Sequence, residues 1–255
     1  MENNETVLYD DGQHKCIMFS FDDEEHEDRY LAVNQFLIVQ HESGILIDPG
    51  SQAVFDEMYD AVSRHMDPQN LKYIFFSHQD PDVAGSIAEW SVACGANIVI
   101  SGLWTRFMSH YGLLDMSRMT ALPDHGAKIS FGNDFLQFVP AHFLHSPGNF
   151  SLYDSRSKIL FSGDIGAAVM APTDIYKEVA DFESHRPLLE GFHQRYMAGN
   201  RLCKAWVERV RAYDVTQIAP QHGALFTDEN VAAFLAWFET LQCGGDLADT
   251  LYGHS

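Results

Sequence analysis

A short loop that follows an apolar segment constrains this chain more than any other feature of its sequence. The segment Leu71 to Phe76 has the length and composition of a buried strand. Directly after it, His78, Asp80 and Asp82 stand at positions i, i+2 and i+4. Three such side chains on one loop can reach the same one or two metal ions. The motif also occurs in solvated loops, so alone it leaves a metal site and an ordinary loop both open.

Three further side chains of the same type repeat this arrangement later in the sequence. His145, Asp164 and His222 each close a hydrophobic, strand-like segment, and glycine follows each of them at once or within a few residues. Loops at one edge of packed sheets commonly build functional sites. We therefore expect all six side chains to converge at one edge, which favours the metal site over the ordinary loop.

The order of these groups resembles that of a known superfamily. The series His-x-Asp-x-Asp, His, Asp, His, with Leu46-Ile47-Asp48-Pro49-Gly50 upstream, resembles the metallo-β-lactamase superfamily over nearly the whole chain. The usual loop there is His-x-His-x-Asp-His, whereas this chain has Asp80 and Val83 at the second and last histidine positions. A carboxylate in place of the second histidine, as at Asp80, makes this loop resemble that of the flavodiiron-like branch, and most of all that of the stand-alone oxygen-binding diiron proteins. Members of that branch hold two irons.

Hydrophobic periodicity and turn signals divide the chain into two halves that each combine strands and helices. The first half is predicted to contain a hairpin at Val7 to Phe21, strands at Leu31 to Val39, Gly44 to Ile47, Leu71 to Phe76 and Asn97 to Ile100, and helices at Ala53 to His65 and Ala84 to Cys94. The second half is predicted to contain strands at Phe135 to Phe143, Ser151 to Asp154, Lys158 to Phe161 and Val215 to Ala219, a helical part at Glu183 to Tyr213, and a helix at Asp228 to Gln242. Two such halves predict an α/β fold, a four-layer αβ/βα sandwich, which the resemblance also implies. No linker composition is visible, so we expect one metallo-β-lactamase-like domain over residues 1–255.

Charge and composition exclude several classes of partner. Sixteen Lys and Arg residues against 36 Asp and Glu residues give a formal net charge of −20, which repels nucleic acid and anionic lipid. The amino-terminal segment is polar, and no apolar run has the length of a membrane span. The four cysteines lie far apart in sequence without a Cys-x-x-Cys pair, which argues against a disulfide scaffold. We expect a cytoplasmic protein with free thiols that binds neither nucleic acid nor membranes.

The resemblance assigns the six side chains to two iron ions, Fe2+ or Fe3+ with an oxo or peroxo bridge. In that assignment the first ion takes His78, Asp80 and His145, the second takes Asp82 and His222, and Asp164 bridges both. Val83 cannot coordinate a metal, so the second ion is expected to lack one ligand. The vacancy can open the site to dioxygen, or it can weaken the second site until only one metal binds.

The chemical character of the donors bears on the identity of the metal. Three carboxylates and three imidazoles form a harder, more anionic set than the imidazole-rich site of a zinc hydrolase, which favours a redox-active iron pair. Manganese and zinc remain alternatives.

Two further residues are candidates for supporting roles. Tyr196 lies in a Gln-Arg-Tyr segment that matches an Arg-Tyr segment of the flavodiiron family, whose tyrosine lies near the irons. His26 falls where those relatives place a histidine near the second metal, although an acidic cluster surrounds it. We name Tyr196 and His26 as catalytic candidates, against half-buried helical and surface roles. His185 and His193 are expected on a helix surface.

Three functions are consistent with this ligand set. Flavodiiron reductases carry an appended flavin domain, for which the sequence after the closing helix leaves no room, and no phosphate-binding glycine motif is visible. We therefore expect a dioxygen-binding diiron protein, which the resemblance connects with chemotaxis signalling. The alternatives are an oxygen or nitric oxide reductase with a separate electron donor, and a zinc-dependent hydrolase. The expected partners are dioxygen or nitric oxide, a signalling or electron-transfer protein, and a second copy in a homodimer.

Overall fold

The computed structural model describes residues 4–21, 33–170 and 176–253. Its strands, numbered in chain order over these residues, are β1 Glu5–Asp10, β2 His14–Phe19, β3 Gln35–Gln40, β4 Ser43–Ile47, β5 Leu71–Phe75, β6 Asn97–Ser101, β7 Met119–Leu122, β8 Ala127–Phe131, β9 Asp134–Pro140, β10 Phe150–Asp154, β11 Ile159–Gly163, β12 Gln217–Pro220 and β13 Phe226–Thr227. Within this described part, β1 to β7 form a seven-stranded sheet in sequence order. The other six strands form a second sheet in the order β13-β12-β11-β10-β9-β8.

Helices cover the outer face of each sheet. They are α1 Phe55–His65, α2 Pro81–Ala84, α3 Ile87–Ala93, α4 Phe182–Tyr196, α5 Asn200–Val210, α6 Asp228–Thr240 and α7 Ala248–Leu251. On the first sheet, α1 buries Met58 and Val62 in a cluster with Trp90 of α3. On the second sheet, Trp206 of α5 packs against Phe238 of α6 in a separate apolar cluster.

A third apolar cluster fills the space between the two sheets. Phe36 of β3 lies with its ring centroid 5.0 Å from that of Phe161 on β11, and Phe75 of β5 lies 5.0 Å from Phe138 of β9. All four rings are buried, and burying one such side chain contributes about 1.5–3 kcal/mol. The layers therefore run helix, sheet, sheet, helix, and the predicted four-layer αβ/βα sandwich is confirmed.

Two predicted helices are each divided by a contact with a distant loop. The helix predicted at Ala84 to Cys94 is interrupted at Ser86, whose backbone N–H and hydroxyl both donate to the carbonyl of Gly50. The helical part predicted at Glu183 to Tyr213 is interrupted at Ala198, whose N–H donates to the carbonyl of Phe143. Periodicity alone does not reveal such breaks, because the partner is far away in sequence.

The predicted strands differ from the observed ones mainly at their ends. The strand predicted at Phe135 to Phe143 ends at Pro140. The chain turns after it, and Phe143 has a φ of 63°, which is incompatible with a strand. The strand predicted at Leu31 to Val39 begins at Gln35, and residues 31 and 32 lie outside the described residues. The strands β7, β8 and β13 were not predicted. In the described part of the chain, no helix has the length and apolar character needed to cross a membrane.

Candidate metal centre

The six predicted side chains meet at one edge of the sandwich, where strands of both sheets end. His78, Asp80 and Asp82 follow β5, and Asp164 and His222 follow the parallel pair β11 and β12. His145 lies in the loop between β9 and β10. The carboxyl ends of neighbouring parallel strands are a common location for binding sites in α/β folds.

Three of these residues form what we call the first half-site, made of His78, Asp80 and His145. Nε2 of His145 lies 2.9 Å from Oδ2 of Asp80, and Nε2 of His78 lies 3.7 Å from the same oxygen. The side chains of His78 and His145 are 1% and 11% exposed, whereas that of Asp80 is 32% exposed. One ligand atom from each residue can therefore face a single ion.

Two residues, Asp82 and His222, form the second half-site. Nε2 of His222 lies 3.3 Å from Oδ2 of Asp82. His222 is buried, while the Asp82 side chain is 38% exposed. The second half-site therefore has one protein donor fewer than the first and reaches the surface through Asp82.

Asp164 lies between the two half-sites. Its Oδ2 is 3.4 Å from Nε2 of His145, and its Oδ1 is 3.6 Å from Nε2 of His78 and 3.7 Å from Nε2 of His222. The carboxylate is 3% exposed. Since its two oxygens face imidazoles of both half-sites, it has the position of a bridging ligand.

Two buried polar atoms that face the centre of this cluster lack a hydrogen-bond partner within the described residues, namely His78 Nε2 and Asp164 Oδ1. An unpaired buried polar atom costs about 1–3 kcal/mol. His78 Nε2 and Asp164 Oδ1 face each other at 3.6 Å, which is too long for a hydrogen bond. It is close to the spacing of about 3–3.5 Å that two ligands of one ion adopt. The donor set therefore fits metal ions.

Neighbouring groups fix the orientation of His78. Its Nδ1 lies 2.9 Å from the hydroxyl oxygen of Ser77, and the N–H of Ser77 donates to Oδ1 of Asp48 at 2.7 Å. Burial raises the pKa of Asp48 to about 7. A proton on Nδ1, donated to Ser77, leaves Nε2 of His78 free to coordinate a metal.

The pKa shifts in the half-sites reflect both burial and charge. Burial lowers the pKa of His78, although the charge of Asp164 acts in the opposite direction. For His145 burial also lowers the pKa, but the hydrogen bond to Asp80 and the charge of Asp164 outweigh it, so the net pKa is raised. Burial raises the pKa of Asp80 and Asp82, but the hydrogen bonds from His145 and His222 and the nearby imidazole charges outweigh burial. The net pKa of both carboxyl groups is therefore lowered. The carboxylates are thus ionised at neutral pH and available to cations.

His193 supports the loop that carries the bridging carboxylate. Its Nε2 accepts a hydrogen bond from the N–H of Gly166 at 2.9 Å, while Nδ1 lies 2.8 Å from the carbonyl of Leu189. Both His193 and His185 are buried, so the expectation of a helix-surface position for them was wrong. The physical reason is that this face of α4 packs against α6 and the loop after β11, so that His193 contacts Trp237 and His185 contacts Phe226.

The backbone of two site loops adopts an unusual conformation. His145 has a φ of 69° and Asp48 a φ of 49°, both in the left-handed region. Such conformations cost on the order of 1–3 kcal/mol for residues other than glycine and concentrate at functional sites. Here the strain accompanies the placement of His145 between Asp80 and Asp164.

The remaining predicted candidates have different positions. The ring of Tyr196 lies 5.3 Å from that of His145, and Phe192 stacks on the same imidazole at 5.7 Å. Tyr196 is half exposed. Val83 is buried in the apolar cluster with Trp90 and does not present a donor. His26 lies outside the described residues.

Two supporting residues were not identified from the sequence. Asp48 stands at the end of β4 in a segment that the sequence marks as a strand end, and this was the one signal available for it. His193 carries no local signal, because its partner Gly166 is 27 residues away.

A model of the family described as ODP family beta lactamase matches residues 31–223. A solved structure described as the peroxy diiron species of chemotaxis sensor ODP is 45% identical, with a TM-score of 0.86, over 98% of this chain and 100% of that chain. The apo state of chemotaxis sensor ODP from T. denticola is 47% identical, with a TM-score of 0.84, over 97% of this chain and 98% of that chain.

Curated relatives are more distant and longer. The flavo-diiron protein FprA2 of Clostridium acetobutylicum is 24% identical over 203 residues, which are 77% of this chain and 50% of the relative. An uncharacterized protein, MJ0732 of Methanocaldococcus jannaschii, is 26% identical over 76% of this chain and 49% of its own length. The chain thus spans about half the length of these relatives. The family model and the high identity along the full ODP chain show that this protein belongs to the ODP family of beta-lactamase-fold proteins.

Proposed function

We propose that this protein is a non-haem diiron protein that binds dioxygen and acts as an oxygen sensor in signalling. The observation that carries the proposal is Asp164, whose two oxygens face the imidazoles of both half-sites at 3.4–3.7 Å. Such a carboxylate suits a pair of ions rather than one. The 45% identity to a chemotaxis sensor described as a peroxy diiron species supports iron as the metal and dioxygen as the ligand.

In this proposal each ligand has a defined role. His78, Asp80 and His145 hold the first ion, Asp82 and His222 hold the second, and Asp164 bridges. Nitrogen and oxygen donors with three carboxylates offset the charge of ferric iron better than imidazoles alone. A diiron pair of this type supplies the electrons and the open coordination positions with which dioxygen is bound.

The second half-site is the proposed point of entry for dioxygen. It has two donors besides the bridge, and Val83 packs in the apolar cluster instead of completing it. An ion held by Asp82, His222 and the shared Asp164 would have coordination positions free for an exogenous ligand. The partly exposed Asp82 gives this side of the pair a route to solvent.

Aromatic side chains protect the first half-site. Phe192 and Tyr196 lie against His145 and stack on each other with ring centroids 4.7 Å apart. They limit the access of water to the imidazole that is hydrogen-bonded to Asp80. The two sides of the pair are therefore expected to differ in the number of their donors and in the aromatic rings beside them, whereas Asp80 and Asp82 are similarly exposed, at 32% and 38%.

The test is loading with ferrous iron without oxygen, followed by a single exposure to air. We expect two iron ions per chain and a visible absorption band that persists after exposure. The variant Asp164→Asn should lose the band, while the exposed-site control His110→Ala should retain it. Absence of any stable band in iron-loaded protein would contradict the proposal.

The same preparation separates the sensor from the two alternatives. Continuous consumption of dioxygen or nitric oxide with an added reductant and a small electron-transfer protein would identify a reductase instead. Protein that retains zinc in place of iron and hydrolyses esters would identify a hydrolase.

We further propose a cytoplasmic location and a protein partner that responds to the oxygen-bound state. Support comes from the relation to a chemotaxis sensor and from the strongly acidic surface, which suits a basic partner surface. Proteins that co-purify with iron-loaded protein should differ between anaerobic and air-exposed samples. Identical partners in both samples would contradict an oxygen-dependent signal.

A further inference from the structure

A second cluster of metal-binding residue types lies at the other end of the sandwich. His14 and Cys16 stand two residues apart on β2, so their side chains share one face of that strand. Asp154 is the last residue of β10 in the opposite sheet. All three side chains are buried, with exposures of 1%, 0% and 1%.

This cluster is separate from the diiron site. β3 begins next to the diiron site, where Asn34 bonds to Gln221, and it ends at Gln40. His14 is paired with Gln40 across β2 and β3, so it lies at the end of the sheet away from that site. β10 likewise begins at Phe150, which bonds to Ser77, and ends at Asp154.

The distances among the three ligand atoms resemble one face of a tetrahedral zinc site. Sγ of Cys16 is 3.6 Å from Nε2 of His14 and 3.6 Å from Oδ2 of Asp154. Zinc bonds of about 2.0 Å to nitrogen and oxygen and 2.3 Å to sulfur place tetrahedral ligands about 3.3–3.6 Å apart. Two of the three edges therefore already have this length. The third, from His14 Nε2 to Asp154 Oδ2, is closed to 2.7 Å by a hydrogen bond.

The first half-site likewise combines one short distance between ligand atoms with a longer one. There His145 Nε2 and Asp80 Oδ2 are 2.9 Å apart, whereas His78 Nε2 and Asp80 Oδ2 are 3.7 Å apart. In both clusters an imidazole–carboxylate pair is closed by a hydrogen bond while the third donor stands at ligand spacing. Binding of an ion by either cluster requires this pair to separate, and in the second cluster Oδ2 of Asp154 also accepts hydrogen bonds from the hydroxyl and the N–H of Ser157.

Two unpaired atoms indicate a second arrangement of His14. Nδ1 of His14 and Oε1 of Gln40 are both buried without a hydrogen-bond partner within the described residues. The two residues face each other across β2 and β3, which places their side chains within reach of one another. A proton on Nδ1 could be shared with Gln40. That tautomer frees Nε2 to coordinate a metal, which is how histidine ligands are usually held.

We propose that His14, Cys16 and Asp154 form a second metal site, for a divalent cation of borderline softness such as zinc. A thiolate, an imidazole and a carboxylate are all zinc ligands, and water or a further donor can take the fourth position. The site joins a strand of each sheet, so a bound ion would connect the two sheets at the end opposite the diiron site. It does not depend on the proposed function.

Cobalt(II) is the probe that distinguishes this site from the diiron site. A cobalt–thiolate bond gives an intense near-ultraviolet charge-transfer band, whereas the six diiron ligands contain no sulfur. We expect one cobalt equivalent with this band in the full chain, and loss of the band when zinc is added, because zinc binds such sites more tightly. The variant Cys16→Ser should lose the band. The matched control Cys94→Ser, another buried free cysteine, should keep it.

Two further measurements cover variants that fail to fold. Asp154→Asn retains the thiolate and should weaken cobalt binding roughly tenfold or more, at least as much as loss of a supporting residue. In crystals of wild-type protein grown with zinc, an anomalous difference peak should lie among His14, Cys16 and Asp154.

Several results would overturn the proposal. These are a cobalt band that survives Cys16→Ser but disappears in Cys203→Ser, no thiolate band in the wild type, and zinc anomalous peaks confined to the diiron site. Any of them would leave the cluster as a buried hydrogen-bonded triad.

Discussion

The first and second half-sites share Asp164 but differ in what completes each of them. The first has three donors of its own, and Phe192 and Tyr196 cover its His145. The second has two donors, and its Asp82 is 38% exposed. The residue after Asp82, which would be the natural third donor, is Val83 and belongs to the apolar cluster under α1 and α3.

This difference assigns tight binding of a metal ion to one half-site and binding of an exogenous ligand to the other. A half-site with more donors should bind its ion more tightly, while one with free coordination positions should bind an exogenous ligand more readily. An asymmetric pair can do both, because the bridge ties the weaker ion to the stronger site.

The largest effect should come from Asp164→Asn, which removes the charge shared by both half-sites. We expect iron affinity to fall about 100-fold or more, since even supporting residues of metal sites contribute 10–100-fold. Elemental analysis after dialysis measures this loss. Asp60→Asn, an exposed control on α1, should retain full iron content. A variant that still held two ions would show that Asp164 is not the bridge.

His222→Ala and His145→Ala should have unequal effects. His222→Ala leaves the first half-site intact, so we expect about one ion per chain to remain. His145→Ala leaves neither side with three donors of its own, and we expect both ions to be lost at the same free iron concentration, about tenfold or more below wild-type affinity. Iron titration with an anaerobic chelator measures both variants. Equal losses of iron in the two variants would contradict the proposed difference between the half-sites.

The pH dependence of the free energy of unfolding of metal-free protein should show the contribution of His193, which supports the loop that carries Asp164. Burial lowers the pKa of His193 to about 4, below the ordinary value near 6.5. The stability that this neutral imidazole provides is therefore present above pH 6.5 and lost as the pH falls towards 4. The loss should approach about 1.4 kcal/mol per pH unit near pH 5.

His193→Gln is the informative variant for this prediction. Glutamine can still accept the N–H of Gly166 but does not titrate, so the free energy of unfolding should change less steeply between pH 6.5 and 5. Urea unfolding at several pH values measures the slope. The exposed control His110→Gln should leave it unchanged. If His193→Gln has the wild-type slope, protonation of His193 does not couple to folding.

The smallest effect is expected for Tyr196→Phe. The ring against His145 is retained and only the hydroxyl is removed, so both ions should remain bound. If the hydroxyl takes part in stabilising the oxygen-bound state, the decay of its absorption band should accelerate by about tenfold or less, as for loss of one hydrogen bond. Tyr252→Phe, an exposed control, should not change the decay. Unchanged decay in both would leave Tyr196 as an aromatic cover of the first half-site.

The degree to which the sequence predicted the site depends on how local each signal is. His78, Asp80 and Asp82 lie on one loop, and His145, Asp164 and His222 each end an apolar segment, so strand periodicity and residue type together predicted that these six side chains would meet. Element boundaries were less accurate. The breaks at Ser86 and Ala198 arise from hydrogen bonds to Gly50 and Phe143, which local patterns do not contain.

Other features could not be predicted because they depend on packing between layers. The burial of His193 follows from its position between α6 and the loop that carries Gly166, where it contacts Phe234, Trp237 and Phe238. The contact of His14 with Asp154 joins residues 140 positions apart on different sheets. No sequence period indicates such a pair.

The amino-acid sequence alone predicted the layered α/β architecture and the six side chains that meet at the candidate metal centre. The reason is that alternating apolar segments specify strands and helices, and polar residues at strand ends specify what meets at an edge. Tertiary packing places Asp164 between two unequal half-sites, buries Val83 in the core, and brings a thiol, an imidazole and a carboxylate together at the opposite end. Those arrangements depend on how two sheets pack face to face, which sets distances between side chains that no local pattern encodes.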